Sequence, residues 1–244
     1  MIECIKNHGE IIWYESDLSN HAQAQQAFDV DYCKSNGKII GCAQGRGTTW
    51  FIRLGDQTEV ALRHYYRGGL IGRILSDQFV FRSWESSRGI QELKVLETLQ
   101  HAGVNVPAPF AARAVRKGLY YSCDIITTLI KDAKDLASML VNNLIEHETY
   151  SKIGQEIKKM HLAQVNHSDL NIHNIMLDAN SKVWLIDFDK SRIEDASYQG
   201  SGNHWQQSNL ARLRRSFLKE LRKRNIHWDE SRDWQSLLDG YNAE

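Results

Sequence analysis

Short apolar runs of strand-like composition dominate the front half of the chain. Residues 38–54 predict two strands joined by a glycine-rich turn, and residues 59–64 and 120–128 predict two further strands. Between these strands, residues 85–102 carry apolar side chains at helical spacing, at Ile90, Leu93, Leu96 and Leu99. Gly103 ends this predicted helix, and Pro107 and Pro109 predict a loop after it.

The pattern becomes helical in the back half. The predicted helices cover residues 133–144, residues 146–161 and much of roughly the last forty residues. Two short predicted strands, at residues 175–177 and 183–186, lie beside a polar stretch. We therefore expect an α+β protein with a β-rich domain at residues 1–128 and a helical domain at residues 129–244. A doubly wound parallel sheet is excluded, because it requires strands and helices to alternate throughout.

Composition indicates an ordinary globular protein with a full core, since 42% of the residues are hydrophobic and 25% are charged. The 30 basic and 30 acidic residues balance, so net charge points to no class of partner. The four cysteines are scattered without a CxxC pair, which predicts free thiols in a reducing compartment. The N-terminus lacks the apolar run of a signal peptide, and no window is long and apolar enough for a membrane span. We expect a cytoplasmic protein, with peripheral membrane contact left open.

The strongest chemical signal is HSDLNIHNIMLD at residues 167–178, followed by VWLIDFDK at residues 183–190. Phosphoryl transfer needs a carboxylate that accepts a hydroxyl proton, and oxygen ligands that hold a divalent cation on the nucleotide phosphates. Asp169 suits the first role, and Asn174 and Asp187 suit the second. A hairpin between the two predicted strands would bring Asp187 beside Asn174. The alternative is an Asx-rich surface hairpin, because Asp and Asn are common turn residues.

The ordered set HxDLxxxN, apolar strand and Ile-Asp-Phe-Asp resembles the catalytic loop and metal-binding segment of the protein-kinase superfamily. The resemblance implies a two-lobed protein-kinase-like fold, with a β-rich N-lobe and a helical C-lobe. It implies that Asp169 is the catalytic base, that Asn174 and Asp187 are Mg²⁺ ligands, and that His167 has a packing role.

Three positions depart from the protein-kinase pattern. Ser168 replaces the usual Arg, Asn171 the usual Lys, and Asp189 the Gly of the DFG motif. These changes point away from protein kinases and toward kinases of small molecules or glycans.

The front half contains candidate nucleotide-binding residues. Gly41, Gly45 and Gly47 lie in a predicted hairpin whose backbone N–H groups can approach phosphates, although a plain flexible turn would have the same composition. Arg63 occupies the position of the family's phosphate-pairing lysine, and keeps the charge on a planar group. Glu92, in the following helix, is its predicted ion-pair partner; the alternative is a solvated helix charge.

A closer resemblance is to the 3-deoxy-D-manno-octulosonic acid (Kdo) kinase family of lipopolysaccharide assembly. The segments that carry it lie within residues 41–192: GRGTTWF, ALRHYYRGGLIGR, HSDLNIHNIMLD and LIDFDKSR. RHYYRGG is the specific part, because general protein kinases lack it, and the arginine at position 63 belongs to this family's pattern. The resemblance implies ATP- and Mg²⁺-dependent phosphorylation of the 4-hydroxyl of a Kdo residue on a lipid A precursor. It also implies a peripheral location on the cytoplasmic face of the bacterial inner membrane.

Two basic segments suit an anionic, lipid-borne acceptor. In the first, Arg67 is a candidate for binding carboxylates or phosphates, and Tyr65 and Tyr66 are candidates for sugar contacts. The second, at residues 208–224, holds seven Lys or Arg and an apolar stripe at helical spacing, so one face could pack inward while the other meets an anionic membrane. A solvated loop and an ordinary amphipathic helix are the alternatives. No nucleic-acid partner is expected.

Two rival functions remain open. A kinase of another sugar, of an aminoglycoside or of protein Ser/Thr would share the core motifs and differ in its acceptor. A catalytically dead nucleotide-binding scaffold would usually have lost the base or a metal ligand, whereas Asp169, Asn174 and Asp187 are all present.

Overall fold

The computed structural model describes residues 1–16, 20–45, 47–55, 58–67, 76–142, 145–195, 204–226 and 228–243. The chain forms two compact units, one of residues 1–94 and 108–129 and one of residues 95–107 and 130–244. Residues 95–107 belong to the second unit, whereas the sequence predicted two continuous domains and placed these residues in the first. Within that unit, Asn105 N donates to Glu156 Oε2 at 3.0 Å, and Leu185 N donates to Asn105 O at 3.0 Å.

The first unit is built on an antiparallel sheet. Its strands are β1 (Ile2–Asn7), β2 (Glu10–Glu15), β3 (Ile39–Gln44), β4 (Thr48–Arg53), β5 (Glu59–His64), β6 (Phe79–Val80), β7 (Pro109–Lys117) and β8 (Tyr120–Thr128). They lie in the order β1-β2-β7-β8-β5-β4-β3, and β6 also pairs with β8. Helices α1 (His21–Ala27) and α2 (Val30–Ser35) contribute Ala24, Ala27 and Cys33 to the core on this sheet, and α3 (Arg88–His101) begins in this unit.

Several elements of this unit differ from the sequence-based expectation. Strands β1 and β2 and helices α1 and α2 were not predicted, and the loop predicted at Pro109 is wrong because Pro109 begins β7. Proline is tolerated at the first residue of a strand, where no ladder N–H is needed. Strands β5 and β8 have the predicted bounds.

The second unit is mostly helical. It contains α4 (Leu136–Val141), α5 (His147–Leu162), α6 (His204–Arg224) and α7 (Gln235–Asn242), with a 3₁₀ turn at Ile172–Asn174 and a π-helical turn at Glu230–Trp234. Its short strands are β9 (Lys134–Asp135), β10 (Val165–Asn166), β11 (Ile175–Leu177), β12 (Val183–Leu185) and β13 (Arg192–Ile193). Strands β12, β11 and β9 form one small antiparallel sheet, and β10 pairs with β13. Helix α4 begins later than predicted, at Leu136, because Asp135 accepts from Ser138 N at 3.1 Å and caps it.

Helices α5 and α7 cross with their backbones in close contact. A Cβ built on Gly154 would lie 2.0 Å from Leu237 O, and one built on Gly240 would lie 2.1 Å from Ser151 O. Only glycine fits at such distances, so these two residues set how closely the helices approach.

Two findings bear on the chain's surroundings. Among the helices of the described residues, none combines the length and apolar character that a bilayer-spanning segment requires. The cysteines are free thiols, with Cys33 and Cys123 buried and Cys4 and Cys42 exposed.

The glycine contact between α5 and α7 predicts a large effect of one methyl group. Gly154→Ala should lower the free energy of unfolding by about 2–3 kcal/mol, because overpacking a closely packed contact has costs of this order. Gly55→Ala is the matched control, since a Cβ at Gly55 meets nothing within 4 Å. Urea denaturation of both variants measures the difference; equal stabilities would show that the helices separate without cost.

Candidate active site

The loop between β10 and β11 holds Asp169 by its backbone. Asp169 O accepts from Asn171 Nδ2 at 2.7 Å and from Asn174 Nδ2 at 3.0 Å. Asp169 N donates to His167 Nδ1 at 3.3 Å. The carboxylate, in contrast, is 59% exposed. The loop therefore fixes the main chain of Asp169 and presents its side chain to solvent.

His167 ties this loop to the segment after β12. Its Nε2 lies 3.1 Å from Ile186 O, which can only accept, so Nε2 carries the proton and Nδ1 accepts from Asp169 N. The ring is fully buried and lies 4.7 Å from the Phe188 ring, centroid to centroid. Burial lowers the pKa of His167 below its ordinary value, which favours this neutral tautomer. This burial and the contact with Phe188 are what a packing role of His167 requires.

Asn174 and Asp187 lie at neighbouring positions of the β11–β12 hairpin. Ile175 pairs with Leu185, and Ile186 N donates to Asn174 O at 3.0 Å. Ile186 therefore lies opposite Asn174, and Asp187 is the next residue. Asp187 has φ +61°, a left-handed conformation that is uncommon for non-glycine residues and that aspartate adopts more readily than most. The Asn174 amide nitrogen is bound to Asp169 O, so its Oδ1 is directed away from that carbonyl.

Sequence reasoning missed the contribution of α6. Three of its polar side chains contact successive positions of the loop: Asn209 Oδ1 accepts from His167 N at 3.1 Å, Arg212 Nη1 lies 3.4 Å from Asp169 Oδ1, and Ser216 Oγ accepts from Ile172 N at 3.1 Å. Their spacing of three and four residues places them along one face of the helix. The only sequence signal is that Asn209 and Ser216 lie next to the apolar stripe of this helix.

Asn209 also connects the loop to α5 and α7. His161 Nε2 lies 3.3 Å from Asn209 Oδ1, and His161 Nδ1 lies 2.8 Å from the Tyr241 hydroxyl. Burial lowers the pKa of His161 to about 4, so this imidazole is neutral at neutral pH. Asn209 Oδ1 accepts from His161 and from the loop, and makes the position of the loop depend on both helices.

The glycine-rich hairpin of the first unit joins β3 to β4. Gly41 lies in β3, and Gly45 N donates to Gly47 O at 3.0 Å across Arg46, which lies outside the described residues. A Cβ on Gly47 would lie 2.0 Å from a Tyr66 ring carbon. Glycine at position 47 therefore makes room for the half-exposed Tyr66 ring as well as for a turn.

The ion pair predicted between Arg63 and Glu92 is present. Arg63 Nη2 lies 2.6 Å and 2.7 Å from the two Glu92 oxygens, and the Tyr65 hydroxyl donates to Glu92 Oε2 at 2.5 Å. Tyr65 is only 3% exposed, and burial raises its pKa well above the ordinary value. This geometry corrects the predicted sugar contact at Tyr65, because a buried ring offers no surface to a sugar. Tyr65 instead holds the ion pair.

Arg88 is a second cation close to Arg67, and sequence reasoning missed it. The guanidinium carbons of Arg67 and Arg88 lie 5.2 Å and 4.7 Å from the centroid of the Phe79 ring. Tyr66 and Arg67 are partly exposed, as a substrate contact requires. The rest of the RHYYRGGLIGR segment, residues 68–73, lies outside the described residues.

Asp124 anchors the strand that carries Arg63. It accepts from His64 Nδ1 at 2.6 Å on β5 and from Arg113 Nε at 3.0 Å on β7. The hydrogen bond to Asp124 raises the pKa of His64, so the imidazolium is favoured. Three strands are thus joined by one buried carboxylate.

The fold and these groups define the chain as a kinase-like phosphotransferase. One unit is an antiparallel sheet with a glycine hairpin and an Arg–Glu pair. The other is mostly helical and carries Asp169 on a loop and Asn174 and Asp187 at a hairpin. Residues 30–241 match the model of the lipopolysaccharide kinase (Kdo/WaaP) family. The chain belongs to this family.

Curated relatives match over nearly their whole lengths. The 3-deoxy-D-manno-octulosonic acid kinase of Vibrio parahaemolyticus is 48% identical over 98% of this chain and 97% of its own. The enzymes of the same name from Vibrio cholerae and Actinobacillus succinogenes are 47% and 40% identical, over 93% and 99% of this chain and 94% and 99% of their own. A solved structure, WaaP in complex with acyl carrier protein, has a TM-score of 0.56 at 17% identity, over 90% of this chain and 86% of that one. This structural likeness shows the fold.

The buried histidines predict an acid-sensitive second unit. As the pH falls below about 6.5, His161 becomes protonated in the unfolded chain. In the folded chain it stays neutral, because its pKa there is about 4. The unfolding free energy should therefore fall by about 2 kcal/mol between pH 7 and pH 5 from this residue alone. The burial of His167 acts in the same direction.

Urea denaturation at pH 7 and pH 5 measures this loss. His161→Gln, which keeps an N–H donor for Asn209, should make stability less dependent on pH. His8→Gln, at an exposed position, is the control. An unchanged pH dependence in His161→Gln would show that another group is responsible.

Proposed function

We propose that the chain transfers the γ-phosphoryl group of ATP to a hydroxyl of a Kdo residue on a lipid A precursor, in lipopolysaccharide core biosynthesis. The observation that carries the proposal is 48% identity, over 98% of the chain, to a kinase named for this sugar acid. The acceptor hydroxyl is the one on carbon 4. The enzyme is thus a phosphotransferase with an alcohol group as acceptor.

Asp169 is the proposed general base. Its carboxylate is exposed while its backbone is fixed by three hydrogen bonds, so it can meet an acceptor hydroxyl without moving the loop. The hydroxyl oxygen forms a bond to the γ-phosphorus, the bond from that phosphorus to the β–γ bridging oxygen breaks, and ADP leaves. The hydroxyl proton passes to Asp169 and then to solvent.

Asn174 and Asp187 are the proposed Mg²⁺ ligands. An amide oxygen and a carboxylate are hard oxygen donors, and Mg²⁺ is commonly held by one or two carboxylates with water and substrate phosphates completing its shell. Bound there, Mg²⁺ would neutralise phosphate charge.

Arg63 and the glycine hairpin are proposed to bind ATP. Glu92 holds Arg63 through both of its oxygens, which orients the guanidinium. Gly41, Gly45 and Gly47 allow the backbone to approach the phosphates closely. Tyr66 and Arg67 are the proposed acceptor contacts on this unit, because both are partly exposed.

Neither rival function is favoured by an observation. The WaaP structure is 17% identical and indicates the fold, whereas the Kdo kinases reach 48% identity. A dead scaffold would not need the fixed geometry of Asp169 or the presence of both metal-ligand candidates.

The test is phosphorylation of a detergent-dispersed Kdo-bearing lipid A precursor, with ATP and Mg²⁺, followed by mass spectrometry. One added phosphate on the Kdo residue is expected. Asp169→Asn should lower turnover by a factor on the order of 10²–10⁴ while ATP affinity is retained, because the amide cannot accept the proton.

An acceptor panel containing heptose-terminated precursor, an aminoglycoside and a Ser/Thr peptide completes the experiment. Phosphate transfer to one of these and none to the Kdo-bearing precursor would refute the proposed function. Near wild-type turnover by Asp169→Asn would refute the assignment of the base alone.

We also propose a peripheral location on the cytoplasmic face of the inner membrane, with an anionic lipid surface as partner. On α6, Leu213, Phe217 and Leu221 are buried and Leu210 is half-buried. The basic residues off this stripe are all exposed: Arg212, Arg215, Lys219, Arg222 and Lys223. Such a face attracts anionic lipid at roughly 1 kcal/mol per basic residue near the surface.

Reversing the charges of Arg215, Lys219 and Arg222 together should reduce sedimentation with vesicles that contain anionic lipid, and raise the apparent requirement for membrane-embedded acceptor. Use of a detergent-dispersed acceptor should change little, because no contact joins these three side chains to the loop in the part of the chain that the structure describes. If neither the substitutions nor added salt reduces vesicle binding, α6 is excluded as the surface that contacts the membrane.

A further inference from the structure

Arg212 is the member of the basic face of α6 that has a protein partner in the catalytic loop. Its Nη1 lies 3.4 Å from Asp169 Oδ1, and the two side chains are 47% and 59% exposed. An exposed pair at this distance contributes only about 0–1 kcal/mol to stability. The pair therefore matters less for folding than for the surroundings of the Asp169 carboxylate.

The position of Arg212 follows from its neighbours on the helix. Asn209 and Ser216, three residues before and four residues after it, bind backbone N–H groups of the loop at 3.1 Å each. Both contacts fix the face of α6 toward the loop, so Arg212 is held close to Asp169 while its guanidinium remains accessible. Within the described part of the chain, Arg212 is the side chain whose charge contacts this carboxylate.

A guanidinium has five N–H donors in a planar fork, of which the contact with Asp169 uses one. A hydroxyl that binds Asp169 brings the rest of its molecule next to the remaining donors. A sugar acid carries a carboxylate on the same ring system as its hydroxyls. Carboxylates and guanidinium groups pair in a bidentate geometry that a neutral sugar cannot reproduce.

We propose that Arg212 is a specificity-determining residue of the acceptor site, which binds the carboxylate of the sugar acid whose hydroxyl meets Asp169. The proposal rests on the proposed function. It assigns the recognition of an acidic sugar to a residue of α6, some forty positions after the loop in the chain. The other anion within reach of such a cation is the phosphoryl group in transfer, and the two sources give different kinetic results.

The experiment compares the wild-type chain, Arg212→Gln and Arg212→Lys with two detergent-dispersed acceptors: the Kdo-bearing precursor and the same molecule with the Kdo carboxylate converted to an amide. The wild-type chain should favour the acid acceptor over the amide in kcat/KM by about 10–100-fold, the range of a charge-assisted hydrogen-bonded pair. Arg212→Gln should raise the KM for the acid acceptor by the same factor and abolish the preference. The KM for ATP should stay within about twofold, and Arg212→Lys should recover part of the loss.

Arg214→Gln is the matched control. Arg214 lies on the same helix and makes an ion pair with Glu230 that is also exposed, at 2.6 Å, away from the loop. It should behave as the wild-type chain does. If Arg212→Gln loses activity equally with the acid and the amide, Arg212 acts on the phosphoryl group or on the loop itself, and the proposal is overturned.

Calorimetric binding of free Kdo separates this outcome from failure of the proposed function. Wild-type chain should bind free Kdo more tightly than Arg212→Gln does, even without turnover. If the wild-type chain transfers no phosphate to the Kdo-bearing precursor, the proposed function fails. Equal binding of Kdo by the two chains would overturn the role of Arg212 in either case.

Discussion

A single neutral imidazole holds together the segments that carry the second unit's chemistry. His167 donates to Ile186 O from one nitrogen and accepts from Asp169 N at the other, and its ring lies on Phe188. A proton on Nδ1 would remove the acceptor for Asp169 N and place a charge in the core. The arrangement of Asp169 relative to the segment of Asp187 thus depends on one protonation state, which burial itself maintains.

The two units hold their functional charges in opposite ways. In the first, Glu92 binds both Arg63 and the buried Tyr65 hydroxyl, so the cation is fixed by a partner that is itself held in place. In the second, the Asp169 carboxylate is left exposed and only its backbone is fixed. The proposed binding of phosphates by Arg63 would benefit from a rigid partner, whereas the proposed proton transfer to Asp169 would need an accessible carboxylate.

Local pattern was enough to predict β5, β8, β11 and the order of Asp169, Asn174 and Asp187, because alternation, turn residues and motif spacing are short-range properties. The Arg63–Glu92 pair could be predicted because a family pattern supplied the long-range contact. The burial of Tyr65 could not, since an aromatic residue within a basic run resembles a surface position. The α6 contacts were also missed, because Asn209 and Ser216 look like solvated polar residues until the loop is known to lie against them.

The contacts made by α6 set an order of events during synthesis. A ribosome that has just completed β13 has already produced the proposed base, both metal-ligand candidates and His167, but not Asn209, Arg212 or Ser216. Until those residues emerge, His167 N and Ile172 N lack the partners that α6 supplies. The nascent chain therefore contains its proposed catalytic groups before it contains the α6 residues that hold their loop in place.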